Sequence, residues 1–364
     1  MNFHAVVRSL CGASKMVSRL ATFRLHPVCS SLSFWQSMFL PDQPIRFEPI
    51  FRSYIWGGDR LASQLGKKPP GTGIWAESWE IVDHREGESI VAEGAFAGWS
   101  LRQLIESFPN EIIGRDTPNE RFPLLLKYLD CQRVLSVQVH PDDEYGAKMP
   151  QPDRGKTEAW YVIDAEPDSK LYAGLKLGVS RQTLAAAIAN GETESCLHVL
   201  SPKAGDCIFI PAGTVHALGE GLLVAEIQQA SDCTFRLFDW DRVDKDGQPR
   251  QLHIDQALEV IDYDRGPIEF VSAPTDTLSN GPRVLVACDK FTLQEFSRPG
   301  TYSLPSEQLA IITVPVGQAV VKTGVSALSL IRGQTVLLPF ACQATTLELA
   351  HDTTVLVSTL PRSV

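Results

Sequence analysis

Short apolar and β-branched runs, separated by Gly and Pro, dominate the chain from about residue 41 onward. Runs of this length with alternating polar positions predict β-strands, and the Gly and Pro residues between them predict turns. The predicted strands are SIVAEG, VLSVQVH, AWYVIDA, CIFIPAG, LLVAEIQQ, TFRLFDW, FTLQEFS, AIITVPV, QAVVKTG, QTVLLPF and TTVLVST. Many short strands in succession predict a mainly β fold, either a barrel or a sandwich.

Helical patterns are fewer and predict a small helical insertion in the β fold. SLRQLIESF begins at Ser100, which is a suitable N-cap. SRQTLAAAIANG runs from Ser180 to Gly191, a residue type that commonly ends helices. A third candidate, HIDQALEVID, closes the first β-rich region near Asp262.

Changes in composition predict the domain boundaries. Residues 262–283 are rich in Pro, Gly, Ser and Asp, so they are expected to connect a first domain, 41–262, with a C-terminal β domain, 263–364. Residues 1–40 contain Arg, Lys and Ser but no Asp or Glu. That composition is typical of an organellar presequence and equally of translated sequence upstream of a start at Met38. We expect this segment to be disordered, or to reflect a mis-assigned start.

Charge and cysteine usage exclude several classes of protein. The net charge of −10 argues against nucleic-acid binding and anionic membranes, which require basic patches. Charged residues interrupt every long apolar run, so no membrane helix is expected. The eight cysteines include no C-x-x-C pair, and a chain of this length needs no disulfide framework. Reduced thiols and a cytoplasmic location are therefore expected.

Potential metal ligands occur on two predicted strands. In LSVQVHPDDE, period-two alternation places Ser136, Gln138 and His140 on one face. In GKTEAWYV the same rule places Lys156 and Glu158 on one face. A carboxylate buried at that position would need a cation beside it.

A further histidine, His216, follows the CIFI run after a Pro-Ala-Gly turn. A fold that gathers these segments would form a site from Gln138, His140, Glu158 and His216. Two imidazoles, a carboxylate and an amide oxygen suit zinc with a position left open for water or substrate. Each residue alone is more often a surface or core residue. Only the combination indicates a catalytic metal site.

The order Gln-x-His, Glu, Pro-Ala-Gly-x-x-His resembles that of cupin barrels, and the chain resembles the shorter bacterial branch of the type I mannose-6-phosphate isomerases. The resemblance is carried by FRSYIWGGDRLA, IWAESWEIVDH, FPLLLKYLD, LSVQVHPDDEYG, GKTEAWYVID, IPAGTVHAL and EIQQASDCTFRLFDWDR. One departure is Ala76, where a glycine commonly precedes the ESWE run. The resemblance implies a cupin (jelly-roll) barrel, and a C-terminal β domain of cupin type without a metal site.

The resemblance also implies the reaction and the roles of residues. It implies interconversion of mannose 6-phosphate and fructose 6-phosphate through an enediolate, with one zinc ion per chain held by the four residues above. Arg236 matches the family's active-site arginine, and its strand is expected to turn it into the barrel interior together with Thr234 and Phe238. Glu226 is the expected base, although a structural ion pair remains open for it, and His140 or zinc-bound hydroxide could take the proton instead. The family-matched candidates for binding the phosphorylated substrate are Ser136, Lys156 and Lys127.

Other interpretations stay open at this point. A non-catalytic sugar-phosphate-binding cupin would keep the fold without the chemistry, because a fold alone does not determine function. Another metal-dependent cupin enzyme, such as an iron oxygenase, would also use histidines with a carboxylate. The expected partner is a small phosphosugar, and the chain is expected to be a monomer or a weak homo-oligomer. Four tryptophans are expected mainly to pack in the core: Trp56, Trp75, Trp79 and Trp160.

Overall fold

The computed structural model describes residues 40–114, 121–243, 247–272, 281–324 and 326–361. The predicted extension, apart from Leu40, lies outside these residues, as do Met38, Cys11 and Cys29. From Leu40 onward the chain forms one unit. The described cysteines are free thiols, as expected: Cys131, Cys196, Cys207, Cys233, Cys288 and Cys342.

The first β region contains two antiparallel sheets and a short ladder. Its strands are β1 (Ile50–Arg52), β2 (Glu77–Ile81), β3 (Asp83–His84), β4 (Gly87–Glu88), β5 (Leu124–Cys131), β6 (Val137–Val139), β7 (Glu158–Ala165), β8 (Leu171–Leu175), β9 (Leu197–Leu200), β10 (Cys207–Ile210), β11 (His216–Leu218), β12 (Leu222–Gln229) and β13 (Phe235–Phe238). One sheet has the order β1-β2-β5-β12-β7-β10, the other β13-β6-β11-β8-β9, and β3 pairs with β4.

The second β region repeats this arrangement with fewer strands. Its strands are β14 (Arg283–Ala287), β15 (Thr292–Phe296), β16 (Gly300–Ser303), β17 (Ala310–Val316), β18 (Gln318–Lys322), β19 (Ala327–Ile331), β20 (Thr335–Leu338), β21 (Thr346–Leu349) and β22 (Thr354–Thr359). They form the sheets β14-β15-β22-β17-β20 and β16-β21-β18-β19. The expected mainly β cupin architecture is confirmed, with sheets that pack face to face without closing into a continuous barrel.

Helices cover the outer faces of the first β region and fill the space between the two regions. They are α1 (Arg60–Ser63), α2 (Leu101–Ser107), α3 (Pro109–Ile112), α4 (Asp143–Ala147), α5 (Arg181–Ala189), α6 (Ile254–Val260) and the 3₁₀ helix Thr193–Cys196. The predicted caps of α2 and α5 are confirmed, because Ser100 and Ser180 each form a capping box. Among the described residues, no helix has the length and apolarity needed to cross a membrane.

Strand β12 shows how one strand packs against two layers. Leu222 and Val224 face the apolar cluster between the two sheets of the first region, whereas Leu223 and Ala225 face the opposite side. Because side chains alternate along a strand, Glu226 points to the same side as Leu222 and Val224. The space between the two sheets therefore receives a carboxylate from an otherwise apolar strand.

A single apolar cluster contains residues of both β regions. Ile81 and Leu126 of the first region pack in it together with Ile311 and Leu337 of the second. Each fully buried Leu or Ile side chain contributes about 1.5–3 kcal/mol relative to exposure, so this cluster fixes the first six-stranded sheet against the second region. The boundary near residue 262 stays a prediction.

Ten of the eleven predicted runs contain a strand of the structure, and one does not. LLVAEIQQ and AIITVPV match β12 and β17 residue for residue. SIVAEG is not a strand, because Ile90 and Val91 form only isolated bridges, with Ser100 and Phe47. The strands that were not predicted are β1, β2, β3, β4, β5, β8, β9, β11, β14, β16, β19 and β21. In β2, β5, β8 and β11 every residue is buried, which removes the alternation of polar and apolar positions.

A buried hydrogen bond between the two β regions gives a stability prediction. Tyr128 Oη lies 2.6 Å from Thr313 Oγ1, and both residues are fully buried. We expect Tyr128→Phe to lower the free energy of unfolding by about 1–2 kcal/mol in urea titrations, because a buried hydrogen bond is lost. Tyr302→Phe is the control, since its hydroxyl donates to Arg298 O at an exposed position. If both substitutions changed the free energy of unfolding equally, the Tyr128–Thr313 hydrogen bond would not stabilise the contact between the two β regions.

Candidate active site

A cavity of about 310 Å³ lies between the two sheets of the first β region. It is lined by Tyr54, Trp56, Glu77, Trp79, Lys127, Leu129, Leu135, Ser136, Gln138, Lys156, Trp160, Leu218, Glu226, Asp232, Thr234, Arg236 and Arg250. Strand alternation explains the lining, because every second residue of β2, β5, β7 and β12 points into this space. A larger groove near Tyr145 and Glu259 has a volume of about 780 Å³ but contains none of the predicted site residues.

Three of the four predicted ligands form a tight buried cluster next to the cavity, which it contacts through the lining residues Gln138 and Lys156. The ligand atoms of His140, Glu158 and His216 all lie within 4.8 Å of one another. Glu158 Oε1 is 3.3 Å from His216 Nε2, and Glu158 Oε2 is 3.5 Å from His140 Nε2. The fourth, Gln138, pairs with His216 across β6 and β11, and its side-chain amide lies 3.2 Å from His216 Nε2.

Backbone carbonyls fix the orientation of both imidazoles. His140 Nδ1 donates to Cys233 O at 2.9 Å, and His216 Nδ1 donates to Thr214 O at 2.8 Å. The Nε2 lone pairs are therefore directed at Glu158. Burial lowers the pKa of His140 to about 3 and also lowers the pKa of His216. Both rings are neutral at pH 7, the form in which histidine binds metal ions.

Glu158 is fully buried, and neither carboxylate oxygen accepts a hydrogen bond of good geometry from a described residue. Burial opposes its charge, but the Lys156 ammonium holds its pKa well below the usual range. Lys156 Nζ lies 2.8 Å from Glu158 Oε2 and 2.9 Å from His140 Nε2. An ionised carboxylate with open acceptor positions beside two Nε2 lone pairs fits a metal ion with N and O ligands.

A second cluster of charged side chains, formed by Lys127, Glu226 and Glu77 around Lys156, lines the wall of the cavity. Lys127 Nζ is 3.3 Å from Glu226 Oε1 and 3.8 Å from Glu77 Oε2, and Lys156 Nζ is 3.7 Å from Glu226 Oε1. Burial and the nearby Glu158 carboxylate raise the pKa of Glu226 to about 7. Burial opposes the charge of Lys127, yet Glu226 and Glu77 raise its pKa overall. Glu226 thus has a pKa suited to gaining and losing a proton near neutral pH.

Arg236 lies half-buried at the mouth of the cavity, where its Nε donates to Ser136 Oγ at 3.2 Å and its Nη1 donates to Gln251 O at 2.8 Å. No carboxylate of a described residue forms an ion pair with it. Arg250 also lines the mouth but binds the Asp239 carboxylate through two of its nitrogens, at 2.7 and 2.6 Å. The mouth therefore presents a guanidinium with only neutral partners.

The expected orientation of the Arg236 strand is only partly right. Thr234 and Arg236 line the cavity, but Phe238 packs outside it. The register of β13 against β6 shifts between Arg236 and Phe238, and this bulge turns Phe238 to the other side. The guanidinium also lies nearer the surface than a residue of the barrel interior would.

The structure brings together every residue predicted for the site and adds several that sequence reasoning missed. The missed lining residues with polar groups are Tyr54, Glu77, Asp232 and Arg250. Alternation in ESWEI could have found Glu77, which shares a face with Trp79. Trp56, Trp79 and Trp160 pack in the core as expected, and each also borders the cavity.

Comparison with known proteins decides the family. Residues 45–170 match the family described as phosphomannose isomerase type I, catalytic domain. The chain is 35% identical over 299 residues to the mannose-6-phosphate isomerase ManA of Bacillus subtilis (strain 168), covering 82% of this chain and 93% of that protein. The chain belongs to the mannose-6-phosphate isomerase family.

Other relatives agree with this assignment. The mannose-6-phosphate isomerase of Streptococcus mutans is 34% identical over 300 residues, which cover 82% of this chain and 92% of that protein. A crystal structure of the Bacillus subtilis mannose 6-phosphate isomerase superposes with a TM-score of 0.79 at 32% identity, covering 86% of this chain and 99% of that one. A putative mannosephosphate isomerase from Archaeoglobus fulgidus, at 21% identity and a TM-score of 0.70, shares the fold and covers 89% of this chain and all of its own.

Proposed function

We propose that the chain interconverts mannose 6-phosphate and fructose 6-phosphate at a zinc site. The observation that carries this proposal is the buried cluster of His140, Glu158 and His216, which lies next to a cavity lined by Gln138, Lys156 and Arg236. The family supports this reaction over an oxygenase or a non-catalytic binding protein. A location in the cytoplasm is supported by the free thiols of the described cysteines.

One zinc ion per chain would be held by Gln138, His140, Glu158 and His216. When bound there it would act as a Lewis acid toward the carbonyl and hydroxyl oxygens of the sugar. The donor chemistry supports this assignment, because two neutral imidazoles, a carboxylate and an amide match the preference of zinc for N and O ligands. The carbonyls of Cys233 and Thr214 would keep both imidazoles in the ligating tautomer.

Isomerisation transfers a proton between two carbons of the sugar. A base removes the proton from C2, returns it to C1 through an enediolate, and a hydroxyl proton moves from O2 to O1, so that atoms and charge balance. We assign Glu226 as the base because it lines the cavity and has a pKa of about 7. His140 is less suited, since its Nδ1 is bound to Cys233 O and its Nε2 faces Glu158.

Arg236 would place a permanent positive charge beside the negative charge that develops on the enediolate. The remaining substrate contacts are assigned to residues that line the same cavity. These contact residues are Ser136, Lys156 and Lys127. Lys127 and Lys156 also lie beside Glu226 and Glu158, so they would act on the substrate and on the acidic residues together.

The first test supplies mannose 6-phosphate to the purified chain and couples fructose 6-phosphate formation to a dehydrogenase. We expect turnover that is lost on exhaustive chelation and restored by about one equivalent of zinc, because an open catalytic site exchanges its metal. Glu158→Gln should bind zinc weakly, whereas Glu348→Gln, on an exposed strand of the second region, should bind it normally. Full activity of metal-free protein would refute the zinc mechanism, and no turnover by zinc-loaded protein would refute the reaction.

The second test concerns Arg236. We expect Arg236→Ala to lower kcat by about 10²–10³-fold with unchanged zinc content and thermal midpoint, as for removal of one group that stabilises an oxyanion. Arg236→Lys should retain part of the activity, because lysine keeps the positive charge but lacks the planar guanidinium group with its several N–H donors. A rise in KM with normal kcat would instead assign the residue to phosphate binding, and wild-type kinetics would exclude both roles.

The third test separates a base from an ion-pair member. Glu226→Gln should slow exchange of the substrate C2 hydrogen with solvent deuterium by about 10²–10⁴-fold, the usual contribution of a general base. Glu77→Gln is the matched control, since Glu77 is also a cavity carboxylate beside Lys127. If the two variants lose the same small fraction of exchange, Glu226 serves only to balance the charge of Lys127.

A further inference from the structure

The segment that carries Lys156 into the cavity is held on both sides by one hydrogen-bond network. Gly155 N donates to Asp143 Oδ1 at 2.8 Å, and Thr157 N donates to Gln229 Oε1 at 3.1 Å. Gln229 Nε2 in turn donates to the same Asp143 Oδ1 at 2.9 Å. The residues immediately before and after Lys156 are thereby linked to one carboxylate at the start of α4.

The second β region supplies the cation for this carboxylate. Lys290, in the turn between β14 and β15, lies with its Nζ 2.8 Å from Asp143 Oδ2 and 2.8 Å from Asp289 Oδ2. Burial opposes the charge of Asp143, but Lys290 and the two amide donors lower its pKa overall. Asp143 therefore stays ionised near neutral pH, with one oxygen on Lys290 and the other on Gly155 and Gln229.

The packing of the segment leaves little room for adjustment. A Cβ atom at Gly155 would lie 2.4 Å from the backbone carbon of Asp142, which no side chain could accommodate without movement. Gly155 and Lys156 precede β7, so no sheet pairing holds them, and Lys156 N donates only to Pro141 O. Glu158 differs, because it pairs with β10 and β12.

We propose that Lys290, Asp143 and Gln229 are positioning residues for Lys156, so that the second β region supports the active site through the side chain of Lys290. The inference rests on the proposed isomerase function. The pair Lys290–Asp143 is partly exposed, with side chains 29% and 46% accessible, so it adds little to stability. The pair instead helps to hold the Lys156 ammonium in its position beside Glu158 and His140.

The test compares Asp143→Ala, Lys290→Met and Lys290→Arg in the zinc-loaded chain. Loss of a group that orients an active-site residue commonly costs about 10–100-fold. We expect Asp143→Ala to lower kcat by about that factor, Lys290→Met to lower it by several-fold, and Lys290→Arg to restore most of it. Zinc content should be unchanged, because sheet pairing holds Glu158. Amide exchange measured by mass spectrometry should quicken at Gly155 and Thr157.

Lys322→Met is the control, because it breaks a partly exposed pair with Glu348 in the same β region, and this pair includes none of the residues of the network. It should leave kcat and the exchange of Gly155 unchanged. A lower thermal midpoint with wild-type kcat for Asp143→Ala would overturn the inference, as would failure of Lys290→Arg to exceed Lys290→Met. Absence of isomerase activity in the wild-type chain would instead refute the proposed function, while the exchange data would still report whether the network holds the segment.

Discussion

The burial of the Glu158 carboxylate is the constraint on which the site depends. A fully buried carboxylate is unfavourable by several kcal/mol unless cations and donors compensate it. Its surroundings meet that requirement in part with the Lys156 ammonium. The two neutral imidazoles instead turn nitrogen lone pairs toward the carboxylate, because their protons are held on the opposite nitrogens by backbone carbonyls. The compensation is incomplete, since both oxygens keep open acceptor positions. A purely structural site would present donors to this carboxylate, whereas here two imidazole lone pairs face it, so the arrangement favours a site that takes up a cation.

The layered sheets explain why so many charges can be buried together. The first six-stranded sheet is covered on one side by the second β region and the helices, and on the other by its partner sheet. Alternation then sends Lys127, Glu158 and Glu226 to one side and apolar residues to the other. The charged residues share one space and pair with one another, and the apolar faces on the far side supply the free energy that offsets their desolvation.

The faces of individual strands and the starts of helices could be predicted from the sequence more fully than the order of the strands. Period-two alternation placed Gln138 and His140 on one face and Lys156 with Glu158 on another, and the helix starts at Ser100 and Ser180 followed from capping chemistry. The order of the strands in the sheets could not be predicted, because it depends on long-range pairing. The bulge beside Arg236 could not be predicted either. It turns the Phe238 side chain to the other face of the sheet, and the pattern of polar and apolar residues does not indicate it.

The distribution of charge along the cavity also bears on how a phosphosugar would lie in it. At the inner end, Lys127 and Lys156 are each paired with carboxylates, so their charge is largely balanced. At the mouth, Arg236 has only neutral partners, while Arg250 lies beside it with its charge balanced by Asp239. A chain with a net charge of −10 thus keeps an unbalanced cation at the mouth. In the proposed function, Arg236 would attract the anionic substrate and also lie near the carbon atoms that exchange a proton, because it pairs with the proposed ligand Gln138 across β13 and β6.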